Sequence, residues 1–178
     1  MRLRYLLTAA LVGGLVTFGW SAVSHLTGIL PSLNPQPFQD STAATAVVEA
    51  VRANAPSNGV YFDERGLFAA VSFERDLSPK FASMVVPMLM QLGIDIVVAF
   101  LLAWLLLRFP VWPALGTGSV FGTVAAAAGV AVFLSSANWY GFPLPVQLAE
   151  LADLVIGWFL LGIVIGALRN RMQRAAQT

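Results

Sequence analysis

The sequence contains no cysteine, a single histidine and few charged residues among its 178 positions. Without cysteine it can form neither disulfides nor thiolate metal sites. One histidine with scattered carboxylates has no recognisable zinc or iron spacing, and neither a glycine-rich phosphate loop nor a nucleophile elbow is present. We therefore expect no enzymatic activity, no metal, no cofactor and no nucleic-acid partner.

Apolar residues are abundant instead. Hydrophobic residues make up 58% of the chain and charged residues 11%, which leaves too little polarity for the surface of a soluble domain. A helix needs about 20 apolar residues to cross a bilayer, and four segments reach this length: residues 5–26, 81–107, 114–134 and 146–168. The predicted fold class is an all-α membrane protein with four transmembrane helices and a small α+β insertion between the first two.

Arginines without nearby acids lie beside the ends of these segments: Arg2, Arg4, Arg108, Arg169, Arg171 and Arg174. The positive-inside rule then places both termini and the turn at Arg108 in the cytoplasm. Residues 27–80 form an extracytoplasmic helix-hairpin domain, and residues 169–178 form a basic cytoplasmic tail. We interpret the arginines of this tail as a topology anchor, with contact to anionic lipid as a second possibility.

The first apolar segment has two interpretations. Its Met-Arg-Leu-Arg start is also typical of a signal peptide, and residues 22–24 make a passable cleavage site. An uncleaved span is favoured, because about twenty apolar residues exceed the usual length of a signal-peptide core.

The insertion carries the signals of one helix and one hairpin. Asp40 or Ser41 can cap a helix that runs to about Asn54. A four-residue loop then joins two predicted strands, at residues 59–62 and 67–73. One helix against one hairpin provides too little core to be stable alone. We therefore expect this domain to rest on the outer ends of the spans or on a partner.

Small residues form stripes on three of the predicted spans. GxxxG pairs, which let helix backbones approach closely in a membrane, occur at Gly118 with Gly122 and at Gly162 with Gly166. The first span has a small or polar face formed by Ala10, Gly14, Thr17, Ser21 and His25. Because a four-helix bundle must be assembled, these stripes favour packing within one chain over homodimer contacts.

Polar residues in or beside the spans form the candidate intramembrane cluster: His25, Gln91, Asp95, Glu150 and Asp153. Gln91 and Asp95 are one turn apart, below a kink expected at Pro87, and Asp95 lies near the bilayer centre. An ionised carboxylate at that depth is costly unless it faces the bundle interior. Convergence of these groups would suit a proton path, a cation site or a bound headgroup. The alternative is a structural role, in which Asp95 is protonated and hydrogen-bonded.

Several short segments carry a resemblance to a known group. They are Trp20 with Ser24-His25, Leu30-Pro31, Gly59-Val60-Tyr61, the Asn-Trp-Tyr-Gly-Phe-Pro run at 138–143, and residues 153–159. Together they resemble a loose group of uncharacterised four-span bacterial inner-membrane proteins with a small extracytoplasmic helix-hairpin domain. The resemblance implies an inner-membrane location and no assigned reaction. It directs attention to Asp153 and to a candidate interfacial ligand or partner surface of Trp20, Trp139, Tyr140 and Trp158.

Two classes of function follow from these observations. The first is a non-enzymatic accessory, structural or assembly component of a larger inner-membrane complex, with the lipid bilayer and a membrane protein as partners. The alternative is a small transporter, channel or proton-coupled factor that uses Asp95, Glu150 and Asp153. An enzyme that acts on lipid is a more distant third.

The arginine distribution generates a prediction about topology. Reporter fusions after Arg108 and after Thr178 should report the cytoplasm, and a fusion near Asn58 should report the opposite side, because the basic residues retain their loops inside. An outside signal at Thr178 would contradict the four-span arrangement.

Overall fold

The computed structural model describes residues 2–30, 39–65, 67–71 and 84–177. In chain order the elements are α1 (Arg2–Leu26), α2 (Ser41–Asn54), β1 (Gly59–Asp63), β2 (Leu67–Val71), α3 (Val85–Leu106), α4 (Ala114–Gly129), a π-helical turn (Val130–Leu134), α5 (Ser135–Tyr140) and α6 (Leu144–Arg174). The chain divides into two compact units, Pro35–Met84 and the bundle formed by the rest. Residues 72–73 of the second predicted strand and 81–83 of the second predicted span lie outside the described residues.

Four helical stretches of the described chain are long and apolar enough to cross a membrane: Arg2–Leu26, Val85–Leu106, Ala114–Tyr140 and Leu144–Arg174. Their outer faces carry large apolar side chains, as on α1, where Leu7, Leu11 and Leu15 are exposed. Hydrocarbon, unlike water, solvates such a surface at little cost. A mostly helical chain with four long apolar helices and a small two-stranded sheet is therefore confirmed, and by length and composition these helices indicate a multi-pass membrane protein.

Two helix boundaries differ from the expectation. α3 is described from Val85, so Pro87 lies in its first turn and not at a kink within the span. Proline is tolerated there because the first turn offers no intrahelical acceptor for the missing N–H. The third span continues to Tyr140, whereas the sequence predicts its end at Leu134. Gly141 ends it in the left-handed conformation, with φ of 68°.

α1, α3 and α6 meet at two consecutive glycines of α1. A Cβ added to Gly13 would lie 3.0 Å from the Cβ of Ala99 on α3 and 2.5 Å from Cδ1 of Leu161 on α6. A Cβ on Gly14 would lie 2.8 Å from the Cα of Ile96. These distances are well inside van der Waals contact. The approach of α3 therefore requires glycine at position 14, where the added Cβ meets backbone, whereas at Gly13 the shortest contact is with the end of the flexible Leu161 side chain.

α4 and α6 are joined along the predicted GxxxG stripes. A Cβ added to Gly162 would lie 2.8 Å from the Cα of Gly118, and one on Gly118 would lie 2.9 Å from the carbonyl oxygen of Phe159. One turn further, a Cβ on Gly166 would lie 2.7 Å from Oγ1 of Thr117. Because the partners belong to the same chain, the prediction that these stripes pack within the bundle is confirmed.

Arg169 connects α6 to the end of α3. Its guanidinium donates hydrogen bonds of 2.7 Å to the carbonyl oxygens of Leu106 and Phe109, and the residue is buried. The neighbouring Asn170 donates from its amide to the carbonyl of Trp112 at 3.1 Å. Carbonyls at a helix C-terminus lack intrahelical partners and carry partial negative charge. Arg169 thus stabilises the helix end and the turn after it, a role in addition to the anchor inferred from sequence.

In the smaller unit, α2 and the hairpin form as predicted. The carboxylate of Asp40 accepts the N–H of Thr42 at 2.8 Å, and the helix that it caps runs to Asn54. β1 and β2 pair antiparallel, with Val60 opposite Ala70. A helix and a hairpin are therefore confirmed in this part of the chain.

Little of the smaller unit is buried. Among the residues whose side chains the structure describes in it, only Ala55 is buried. At the hairpin turn Arg65 forms an ion pair of 2.7 Å with Asp63, and hydrogen bonds from the side chain and then the backbone of Arg65 lower the pKa of Asp63. This exposed pair orders the turn but adds no core.

The α4–α6 contact generates a test with a matched control. Gly162→Ala should destabilise the bundle by about 1–3 kcal/mol, because the new Cβ meets the backbone of Gly118 and forces the helices apart. Gly93→Ala should be neutral or stabilising, since nothing lies within 4 Å of its added Cβ and alanine is the better helix former. Thermal unfolding in mild detergent compares the two. Equal transition temperatures would show that α4 and α6 do not approach this closely.

Candidate functional site

α1 and α6 pack antiparallel. This contact determines which polar residues of the two helices lie side by side. Near one end, Tyr5 donates its hydroxyl to the carbonyl of Ile165 at 3.2 Å. Toward the other end, Trp20 donates its indole N–H to the carbonyl of Asp153 at 3.2 Å. Its ring lies on Gly157, where an added Cβ would be 3.2 Å from the indole Cδ1. Glycine at this position lets the indole reach α6, so that Asp153 lies beside Trp20.

Asp95 lies deeper in the bundle, on α3. The next residue, Ile96, packs against Gly14 midway along α1, and Asp95 itself is only 5% exposed. Nε2 of Gln91, one turn earlier, donates to Oδ1 of Asp95 at 3.1 Å. The second oxygen, Oδ2, is buried and has no hydrogen-bond partner among the described residues. A buried polar atom without a partner is costly, which makes Oδ2 the atom to explain.

Asp153 presents a similar atom from α6. Its Oδ1 is also buried and unpartnered within the described part of the chain. Glu150 lies three residues before Asp153 on α6 and therefore nearer the His25 end of α1, because α1 and α6 pack antiparallel. The three acids therefore follow one another from the His25 end of α1 toward the middle of the bundle. We call Glu150, Asp153 and Asp95 the acidic row.

His25 is exposed at the end of α1. Its Nδ1 lies 3.0 Å from the carbonyl oxygen of Ser21 and 3.1 Å from Oγ of Ser24. Because a carbonyl oxygen can only accept, the hydrogen bond to Ser21 requires the proton on Nδ1.

No arginine or lysine in the described ranges pairs with the acidic row. The only ion pair among the described residues joins Asp63 and Arg65, so no arginine or lysine described here neutralises Asp95, Glu150 or Asp153. Nor does any group of three or more His, Asp or Glu side chains in the described ranges suit a metal ion. Carboxylates in an apolar bundle without a cationic partner favour binding a proton or a small cation. The acidic row can therefore accept a proton or contact a small cation.

The aromatic residues singled out in the sequence occupy two environments. Trp20 contacts α6, as described above, and Trp158 is partly buried against the hydrophobic core. By contrast, Trp139 is 78% exposed, and Tyr140 beside it is also exposed at the end of α5. The structure thus places two of these residues in helix contacts and two on the surface.

The contact between Trp20 and the Asp153 carbonyl was missed from sequence. The available signal was Gly157, which leaves a gap on α6 one turn after Asp153 that a large ring can fill. Sequence alone does not show which aromatic ring fills this gap, because the answer depends on how α1 is positioned along α6.

The fold and the acidic row define a multi-pass membrane protein with unneutralised carboxylates inside its helical bundle. Comparison with protein families, with curated proteins and with solved structures finds no match for the chain. The resemblance described from sequence therefore rests on the quoted residues alone.

The environment of Asp95 yields a prediction in two substitutions. Asp95→Asn should keep stability within about 1 kcal/mol, because its amide oxygen still accepts from Gln91, whereas Asp95→Leu should lose about 1–3 kcal/mol by leaving that amide unpaired. Thermal unfolding in mild detergent measures both. Equal stability of the two variants would contradict a hydrogen-bonded, inward-facing carboxylate.

A third variant tests the interaction across helices. Asp153→Asn, alone and combined with Asp95→Asn, completes a double-mutant cycle, and groups that interact directly give non-additive changes of about 0.5–3 kcal/mol. Strict additivity would show that the two carboxylates are independent.

Proposed function

We propose that this protein is a non-enzymatic accessory or assembly component of a larger membrane complex. The observation that carries this proposal is the scarcity of buried side chains in the smaller unit, where Ala55 is the single buried residue among those whose side chains are described. Ordering a chain segment costs conformational entropy that burial must offset. A partner that covers the unit supplies that burial.

The hairpin offers the surface for such a partner. Val60 and Phe62 alternate along β1 on the same face, and they are 63% and 78% exposed. Between α2 and the hairpin lies a groove of about 540 Å³, lined in part by Val51 and Tyr61. An exposed apolar strand face beside a groove is typical of a protein interface. We assign this face to the protein partner.

The proposed setting is the bacterial inner membrane, with both termini in the cytoplasm and the smaller unit on the opposite side. Its support is the set of arginines at the proposed inner ends of the helices, together with the sequence resemblance. An accessory role also fits a chain in which no catalytic motif accompanies the polar residues.

The partner is tested by purification from native membranes in mild detergent. A protein that co-purifies at fixed stoichiometry is expected, and Phe62→Ser should lower its recovery by about tenfold or more, because loss of a central aromatic contact costs about 1.4 kcal/mol or more. Ala53→Ser, at an exposed position on α2, is the control and should leave recovery unchanged. A chain that purifies alone would contradict the accessory role.

The acidic row favours a second candidate, a proton-coupled factor. Asp95 and Asp153 each have a buried oxygen without a partner in the described residues, and the row leads from His25 inward. In proteoliposomes with an internal pH dye, this candidate requires proton flux that Asp95→Asn abolishes while the fold remains intact. Absence of flux from wild-type protein would exclude it and leave Asp95 with a structural role.

A further inference from the structure

A groove lies between α1 and α6 at the end of the bundle that carries Arg4, Arg169 and Arg171, which we call the arginine-bearing end. Its volume is about 620 Å³, within the range of small-molecule sites. The residues that line it come from the first turns of α1 and from the end of α6 and the turn after it: Arg4, Thr8, Leu168, Arg171, Met172, Ala175 and Ala176. It is separate from the acidic row, which lies toward the opposite end of α1.

Two arginines face this groove without a protein partner. Arg4 and Arg171 are exposed, and neither side chain forms a hydrogen bond, ion pair or ring contact within the described residues. Other arginines are engaged: Arg169 binds carbonyls of the α3 end, and Arg108 lies 4.8 Å from the centre of the Trp104 ring. The available guanidinium donors at this end of the bundle therefore include one from α1 and one from α6 that line the same groove.

The floor of the groove is apolar. Leu168 and Met172 are partly buried and pack against the hydrophobic core. On the neighbouring turns of α1, Leu7 and Leu11 are exposed to the surroundings of the helix. A ligand with a charged head and a long apolar tail matches this sequence of surfaces, since the head meets arginine and the tail continues along the membrane-spanning helix.

We propose that this groove is a binding site for an anionic phospholipid, with the phosphate held between Arg4 and Arg171 and the acyl chains along the apolar surface of α1 and α6. Guanidinium groups bind phosphate oxygens through paired N–H donors. The groove lies at the ends of two candidate spans, the level at which headgroups meet the helices. A soluble anion would gain nothing from Leu168 and Met172, which favours lipid over free phosphate. The proposal does not depend on the function proposed above.

The test compares two double variants that remove the same charge from the same end of the bundle. Arg4→Gln/Arg171→Gln alters the groove, whereas Arg2→Gln/Arg174→Gln removes two arginines that do not line it. Long-range attraction to an anionic surface is worth about 1 kcal/mol per arginine. Each double variant loses two arginines, so this attraction decreases equally in both. Any difference between the two variants therefore reports the groove itself.

The measurement is native mass spectrometry of the full chain after delipidation and addition of phosphatidylglycerol or phosphatidylcholine. Wild-type protein and the Arg2/Arg174 variant should retain phosphatidylglycerol about tenfold better than phosphatidylcholine, equivalent to about 1.4 kcal/mol. The Arg4/Arg171 variant should lose that preference. If it does not fold, Arg4→Lys/Arg171→Lys replaces it and should lose most of the preference, because lysine keeps the charge but not the paired donors.

Three results would overturn the proposal. Equal losses in the two double variants would show that binding is only non-specific attraction. Equal retention of the two lipids by wild-type protein would show that the headgroup is not recognised. Displacement of phosphatidylglycerol by an equal concentration of inorganic phosphate would assign the arginines to a soluble anion.

Discussion

The fold depends on how closely α6 approaches its neighbours. In a bilayer, helix association gains little from the hydrophobic effect, so packing and a few polar contacts must provide the stability. α6 contacts α4 through Gly162 and contacts α1 through Gly157. These approaches determine the level of α6 relative to α1. The hydrogen bonds from Trp20 to the Asp153 carbonyl and from Arg169 to the end of α3 depend on that level.

Local chemistry explains which parts of the fold were predictable. The four apolar stretches, the cap at Asp40 and the GxxxG stripes were found because each signal lies in a few neighbouring residues. The third helix continues beyond the end predicted for its span, through a π-helical turn that has no clear sequence signature. The kink expected at Pro87 was wrong because it assumed a helix that starts earlier than the described one.

The site was less accessible to sequence reasoning than the fold. Gln91 and Asp95 share one helix, so their hydrogen bond follows from a spacing of four residues. The position of Asp95 relative to Asp153 is a tertiary feature. It depends on how far along α1 each of the helices α3 and α6 packs. Arg169 looked like one more basic residue of the tail. Its burial becomes apparent only in the fold, where the C-terminal end of α3 and the turn after it lie beside Arg169.

Each of the two polar regions of the bundle leaves two buried side-chain atoms without a partner among the described residues, Nε of Arg169 and Oδ1 of Asn170 in one region and a carboxylate oxygen each of Asp95 and Asp153 in the other. At the arginine-bearing end, the carbonyls after α3 have donors from Arg169 and Asn170. In the acidic row, two carboxylate oxygens have none among the described residues. The first region joins α6 to the end of α3 through a buried cation and an amide, and the second gathers acidic side chains from α3 and α6.

The π-helical turn at Val130–Leu134 has a consequence for the surface beyond it. One extra residue in a helix rotates everything that follows by about 100° around the helix axis. The small residues that pack α4 onto α6 extend to Gly129. Beyond the turn, the residues that would continue this stripe lie on a different side of the helix. Trp139 lies on the re-phased segment and is turned outward. The π-helical turn thus determines the side of the helix on which Trp139 lies. Deleting one residue at the turn would rotate the indole to a different face.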